Sequence, residues 1–166
     1  DEVRTRFKEV FEAIRQEFKI VFPNMFGGGK AELVLTEPTD LLKTGIEIEV
    51  QPPGKKLQSL SLLSGGERAL TAIALLFSII RVCPVPFCIL DEVEAALDEA
   101  NVKRFGRYLS DFQDDTQFIV VTHRKGTMVA ADVLYGVTMQ ESGVSKIVSV
   151  RMEDINEEAK INETKV

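Results

Sequence analysis

Residues able to act on a phosphate group occur in three short stretches. In the first, Leu63-Ser64-Gly65-Gly66-Glu67-Arg68, a hydroxyl and two glycines stop an apolar run before a strongly helical sequence. Paired glycines leave backbone N–H groups free to approach an anion, and the helix that follows aims its positive dipole end at the same place. The same turn also serves as an ordinary helix cap. In the second, Phe87-Cys88-Ile89-Leu90 runs into Asp91-Glu92. Carboxylates at the carboxyl end of a buried parallel strand sit where such sheets place ligands. One can hold Mg²⁺, and its neighbour can orient a water for attack on phosphate. A strand end turning to solvent accounts for the pair as well. In the third, the apolar run Phe118-Ile119-Val120-Val121 leads through Thr122 to His123, the only histidine. A lone histidine is more often structural; its place at a strand end, matching that of Asp91-Glu92, argues for a site role.

These residues need a scaffold, and the pattern supplies one. Residues 1–22 carry Val3, Phe7, Val10, Ile14 and Val21 near heptad spacing, widened by Phe11 and Phe18. That predicts a helix, either an amphipathic surface helix or the end of a coiled coil. Pro23 and Gly27-Gly28-Gly29 are expected to end it. Residues 31–36 and 46–50 alternate apolar and polar, as half-buried strands do, and an antiparallel pair is expected. Lys55 and Lys56 follow a Pro-Pro-Gly stop and read by default as solvated loop lysines. A nearly all-apolar helix should run from Ser64 to about Val82, ended by Pro84 and Pro86. Asp98 can cap a helix over 99–112, with Arg104 and Arg107 on its basic side. A short helix near 127–131 and a hairpin of 133–140 with 144–150, turning at Glu141-Ser142-Gly143, complete the pattern.

Composition sets bounds. The 166 residues suffice for one domain with a core, and a net charge of -6 excludes a generally basic nucleic-acid binder. Cys83 and Cys88 read as buried free thiols of a reducing cytoplasm. No apolar run is long enough to span a bilayer, and no signal peptide opens the sequence. Gly29-Lys30 is not a P-loop: Asn24 stands where G-x-x-x-x-G-K-[ST] needs its first glycine, and Ala31 replaces the Ser/Thr.

The ordered set Ser64-Gly65-Gly66-Glu67, Phe87 to Glu92, Ala96-Leu97-Asp98 and His123 resembles the carboxyl-terminal half of an ABC-type ATPase: signature loop, Walker B strand, D-loop and switch histidine. Gln51-Pro52-Pro53-Gly54-Lys55-Lys56, Ala95 to Val102, and Tyr135-Gly136-Val137-Thr138-Met139 resemble a bacterial SMC (structural maintenance of chromosomes) protein. The similarity runs from roughly Phe18 to Val150. It implies an α/β carboxyl-terminal head lobe, a mostly parallel sheet flanked by helices. Residues 1–22 would end the coiled coil, 23–150 form the lobe and 151–166 a flexible tail. The implied cofactors are ATP and Mg²⁺. Asp91 would help hold the metal, Glu92 would be the general base and His123 would stabilise charge near the γ-phosphate. Ser64, Gly65, Gly66, Glu67 and Asp98 would serve the ATP of the opposite head, in trans. The implied partners are the amino-terminal lobe carrying Walker A, a second head in a homodimer, a kleisin subunit and DNA, with no membrane. Lys55, Lys56, Arg104 and Arg107 are the DNA candidates. The setting would be the bacterial cytoplasm, at the nucleoid. A coiled-coil DNA-repair ATPase would share the motifs, and without its other lobe the chain would be a non-enzymatic interaction fragment.

Overall fold

A computed structural model describes residues 2–41, 43–112 and 116–152. Helix α1 (Glu2–Phe26) opens the chain and is longer than expected. Pro23 lies inside it, because a proline removes one donor while the burial of Phe22, Met25 and Phe26 favours continuing the turn. The stop is made instead by Gly27, at φ 73°, with the Gly28 N–H donating to the Pro23 carbonyl at 2.8 Å. Phe18, Phe22 and Phe26 form an aromatic column along the buried face, the last two stacked with ring centres 4.1 Å apart.

Strands β1 (Lys30–Leu35) and β2 (Ile46–Gln51) pair antiparallel, as the alternation requires. A two-residue strand β3 (Gln58–Ser59) adds to β2; it is too short to leave a periodic signal. Helix α2 (Gly65–Val82) buries Leu70, Ile73, Ala74, Phe77 and Ile80 against α1 and the rest of the core. Strands β4 (Phe87–Asp91) and β5 (Gln117–Val121) pair in parallel, joined through α3 (Glu99–Asp111). The short α4 (Lys125–Met128) follows β5, two residues earlier than expected. Strands β6 (Val133–Glu141) and β7 (Val144–Arg151) make the expected hairpin, with Gly143 at φ 82° in its turn. Met152 and the residues before it close the described part; 153–166, most of the expected tail, lie outside the described residues.

Two expectations are corrected. The sheet is not mostly parallel among the described residues: the strands form three separate sheets, and only the β4–β5 pair is parallel. That pair is buried on one face only. Cys88, Leu90, Phe118 and Val120 face the core, whereas Phe87, Ile89, Ile119 and Val121 lie open, Ile89 at 60% exposure. Apolar runs on both faces suit a strand covered twice, and this chain covers one side. The cysteines are free, but Cys83 is exposed and Cys88 half-buried, since Cys83 falls in the turn after α2. Burial raises the Cys88 thiol pKa above its ordinary value.

Candidate functional site

Ser64 caps α2 in the full reciprocal arrangement. Its hydroxyl accepts from the Glu67 N–H at 3.4 Å, and its own N–H donates to Glu67 Oε2 at 3.1 Å. The hydroxyl also donates to that oxygen at 2.8 Å. Lys55 Nζ lies 2.8 Å from Glu67 Oε1, and this contact first, then the Ser64 hydroxyl, holds the Glu67 carboxyl below its usual range. Lys55 is therefore not a free loop lysine: the Pro-Pro-Gly-Lys loop is tied to the start of α2.

The two glycines of this loop differ. A Cβ on Gly65 would meet nothing within 4 Å, so its backbone borders open space. A Cβ on Gly66 would stand 3.0 Å from the Ala96 carbonyl oxygen, so this glycine permits α2 to press against the turn before α3. In that turn Asp98 caps α3, its Oδ1 accepting from the Asn101 N–H at 2.8 Å and its Oδ2 from the Asn101 side chain at 3.1 Å.

Asp91 ends β4 with its side chain exposed. Glu92 follows at φ 48°, the only non-glycine residue of positive φ among the described residues. A left-handed turn costs a glutamate about 1–2 kcal/mol, and such strain gathers at functional positions. The Glu92 N–H donates to the Val121 carbonyl at 3.0 Å, which fixes the turn against the end of β5. The parallel register sets Asp91 beside Val121, and so brings the two strand ends level. His123 Nδ1 lies 3.5 Å from Glu92 Oε1, both side chains open to solvent. Glu92 and His123, expected at matching strand ends, therefore stand side by side. The Ser64–Glu67 loop makes no hydrogen bond or ion pair with Glu92 or His123 among the described residues. It touches the turn leading to Asp98 instead.

No group of three or more metal-ligating side chains forms among the described residues. A Mg²⁺ held chiefly by phosphate oxygens needs only one or two carboxylates, and Asp91 at an open strand end has that chemistry. No helix among the described residues is long and apolar enough to cross a membrane.

Two residues close to this site carry no spacing signal. Glu94 is a carboxylate only 1% exposed, accepting from the hydroxyls of Thr122 and, at 3.0 Å, Thr127. Arg124 donates to the Leu97 carbonyl at 3.2 Å and to Glu99 Oε2 at 3.3 Å. Neither shows a spacing that marks it out, because each acts across the chain.

This fold, with its helix–turn and strand-end elements, is that of SMC heads. A solved chain from work on ATP-driven dimerization and DNA stimulated activation of SMC ATPases aligns with a TM-score of 0.82 and 41% identity, covering 95% of this chain and 97% of that one. A Pyrococcus furiosus Smc head domain with an extended coiled coil, bound to the C-terminal domain of ScpA, aligns with a TM-score of 0.87 and 40% identity, covering 98% of this chain and 40% of that one. Residues 7–146 match the family described as RecF/RecN/SMC N terminal domain. The chain is 69% identical over 157 residues to Chromosome partition protein Smc of Bacillus subtilis (strain 168), covering 95% of this chain. It is 66% identical over 158 residues to the protein of that name from Lactiplantibacillus plantarum, again covering 95%. The chain belongs to the SMC family. It spans 13% of the length of each of these two relatives.

Proposed function

We propose that this chain is the carboxyl-terminal lobe of an SMC ATPase head, supplying half of an ATP site in cis and the facing surface of a second site in trans. The observation that carries the reading is the Glu92–His123 pair, 3.5 Å apart at the ends of neighbouring parallel strands, with Glu92 held at positive φ. The lobe assignment rests on motif content: signature, Walker B, D-loop and switch elements occur in order between Ser64 and His123. The matched family description speaks of an N terminal domain, which leaves that content as the ground for the choice. The similar extent of one solved SMC ATPase chain supports a lobe of this size as a unit. The open face of β4 and β5 is where a complementary lobe would pack, and α1 would continue into the coiled coil.

In this reading Glu92 orients the attacking water and takes its proton, with His123 alongside to stabilise charge on the phosphate side. Asp91 is the residue to hold Mg²⁺; that ion, when bound, neutralises phosphate charge. Ser64 would release Glu67 and turn its hydroxyl to a phosphate presented by another head, with the Gly65 N–H beside it. Asp98 would lie on the same facing surface. Relatives' heads bind ScpA fragments, and a kleisin of that kind is the expected partner here. DNA organisation at the nucleoid is the expected outcome of ATP-driven head pairing. Lys56 and Arg107 are stronger DNA candidates than Lys55, paired with Glu67, and Arg104, which donates to Asn101.

The test is a head completed with its amino-terminal lobe. ATP turnover should appear only in the complete head. Glu92→Gln should abolish most turnover and keep ATP-driven pairing, whereas Ser64→Arg should abolish pairing. Turnover by the purified lobe alone, or pairing by Ser64→Arg heads, would sink the proposal.

A further inference from the structure

We infer that Glu94 is a positioning residue which, through Thr122 and Thr127, fixes His123 to the turn that carries Asp98, so that the two halves of the head's chemistry are held on one rigid block. This rests on the ATPase reading above.

Glu94 is the most buried carboxylate among the described residues, and burying a charge is costly unless its oxygens are well bonded. One oxygen is bonded on both sides. Oε1 takes the Thr122 hydroxyl, one residue before His123, and the Thr127 hydroxyl, in α4 just beyond it. The Thr122 oxygen in turn accepts from the Arg124 N–H at 3.0 Å, which directs its hydrogen to Glu94. The histidine is therefore bracketed: the residue before it and the helix after it share one carboxylate oxygen. Oε2 is buried with no hydrogen-bond partner among the described residues. A group kept at that cost for packing alone would be better served by a leucine or methionine.

The other end of Glu94 lies in the turn between β4 and α3. Its carbonyl accepts from the Leu97 N–H at 2.9 Å, one residue before Asp98. A second strap runs the opposite way, from Arg124 to the Leu97 carbonyl and Glu99. The helices behind are locked as well. A Cβ on Gly106 would stand 2.7 Å from the Gly126 carbonyl oxygen, and one on Gly126 would stand 2.9 Å from Val102 Cγ1, so α3 and α4 touch backbone to backbone. Ser110 Oγ donates to the Ala130 carbonyl at 3.1 Å. Gly66 rests on Ala96 in the same turn. A displacement of His123 is thereby transmitted to Asp98 and the base of α2, and the reverse. Glu94 on one side and Arg124 on the other join the histidine to that block.

The experiment uses the complete head with ATP. Thr122→Val, isosteric and without the hydroxyl, should lower kcat by about 10- to 100-fold with KM for ATP little changed, because misplacing a reacting group by ~1 Å costs that much. Thr122→Ser, which keeps the donor, should restore turnover. Glu94→Leu removes the shared acceptor at similar volume and should lower kcat in the same sense. The decisive comparison is with His123→Ala: if Thr122 acts through the histidine, Thr122→Val should cost nothing more in that background. A structural role would multiply the two losses and would lower the unfolding midpoint in step with kcat. Wild-type kcat in Thr122→Val, no rescue by serine, or full additivity with His123→Ala overturns the inference. If instead the wild-type complete head shows no turnover, or Glu92→Gln hydrolyses like wild type, the ATPase reading itself fails.

Discussion

Two neighbouring glycines with different surroundings separate folding from pairing. In Gly65→Ala the new Cβ enters open space, with nothing within 4 Å. Gly65 is the first residue of α2 and has no positive φ. Alanine reduces the freedom of the unfolded chain there, so the substitution should stabilise the lobe by about 0.4–1 kcal/mol. In Gly66→Ala the Cβ would sit 3.0 Å from the Ala96 carbonyl, a few tenths of an ångström closer than a comfortable contact. The turn must give, and the entropic gain should be cancelled or reversed by overpacking, by about 1 kcal/mol or more. Function should order the two variants differently. The open space at Gly65 is where another head's phosphate would approach the backbone, and a methyl group there masks the N–H. Gly65→Ala should therefore unfold no earlier than wild type yet lose ATP-driven pairing by about tenfold or more, which is ~1.4 kcal/mol. Thermal unfolding of the complete head, with cross-linking of paired heads in ATP, reads both quantities. Wild-type pairing by Gly65→Ala would refute the assignment of this surface. A lowered unfolding midpoint in Gly65→Ala would refute the reading of its surroundings.

Glu67 makes acid stability informative. Its carboxyl lies below the usual range when folded, chiefly through Lys55, so its contribution is present above the unfolded pKa and is lost as pH falls through the folded one. Glu67→Gln should therefore cost stability at pH 7 and much less at about pH 3, by chemical denaturation at both. Phe77 is fully buried, with ring centres of Tyr108, Phe112 and Phe118 at 5.0, 5.6 and 5.7 Å. Phe77→Ala should cost about 3–5 kcal/mol in the same assay.

The elements that were legible in the sequence are those whose signal is local. The Ser64 cap, the β1–β2 alternation and the Glu141-Ser142-Gly143 turn each lie within a few residues, and each formed. The strand-end positions of Asp91, Glu92 and His123 were legible for the same reason. What stayed hidden depends on contacts between distant segments. Pro23 looked like a stop because its cost is local, whereas the burial of Met25 and Phe26 that outweighs it is tertiary. Lys55 looked solvated because Glu67 is twelve residues away. Glu94 was unreadable as a hub, since Thr122 and Thr127 meet it only after β4 and β5 pair.

The distribution of apolar surface bears on how the chemistry is divided. Phe87, Ile89, Ile119 and Val121 form one exposed face of a two-stranded parallel sheet, and a pair of strands open on one side is weakly stable alone. Their strands end at Asp91 and Val121, and so lead directly into Glu92 and, through Thr122, into His123. The Ser64–Gly66 loop reaches the site only indirectly, through Ala96 and the turn to Asp98. The end of the open sheet face and the glycine loop thus meet at one turn, between β4 and α3, and that turn also carries the buried Glu94.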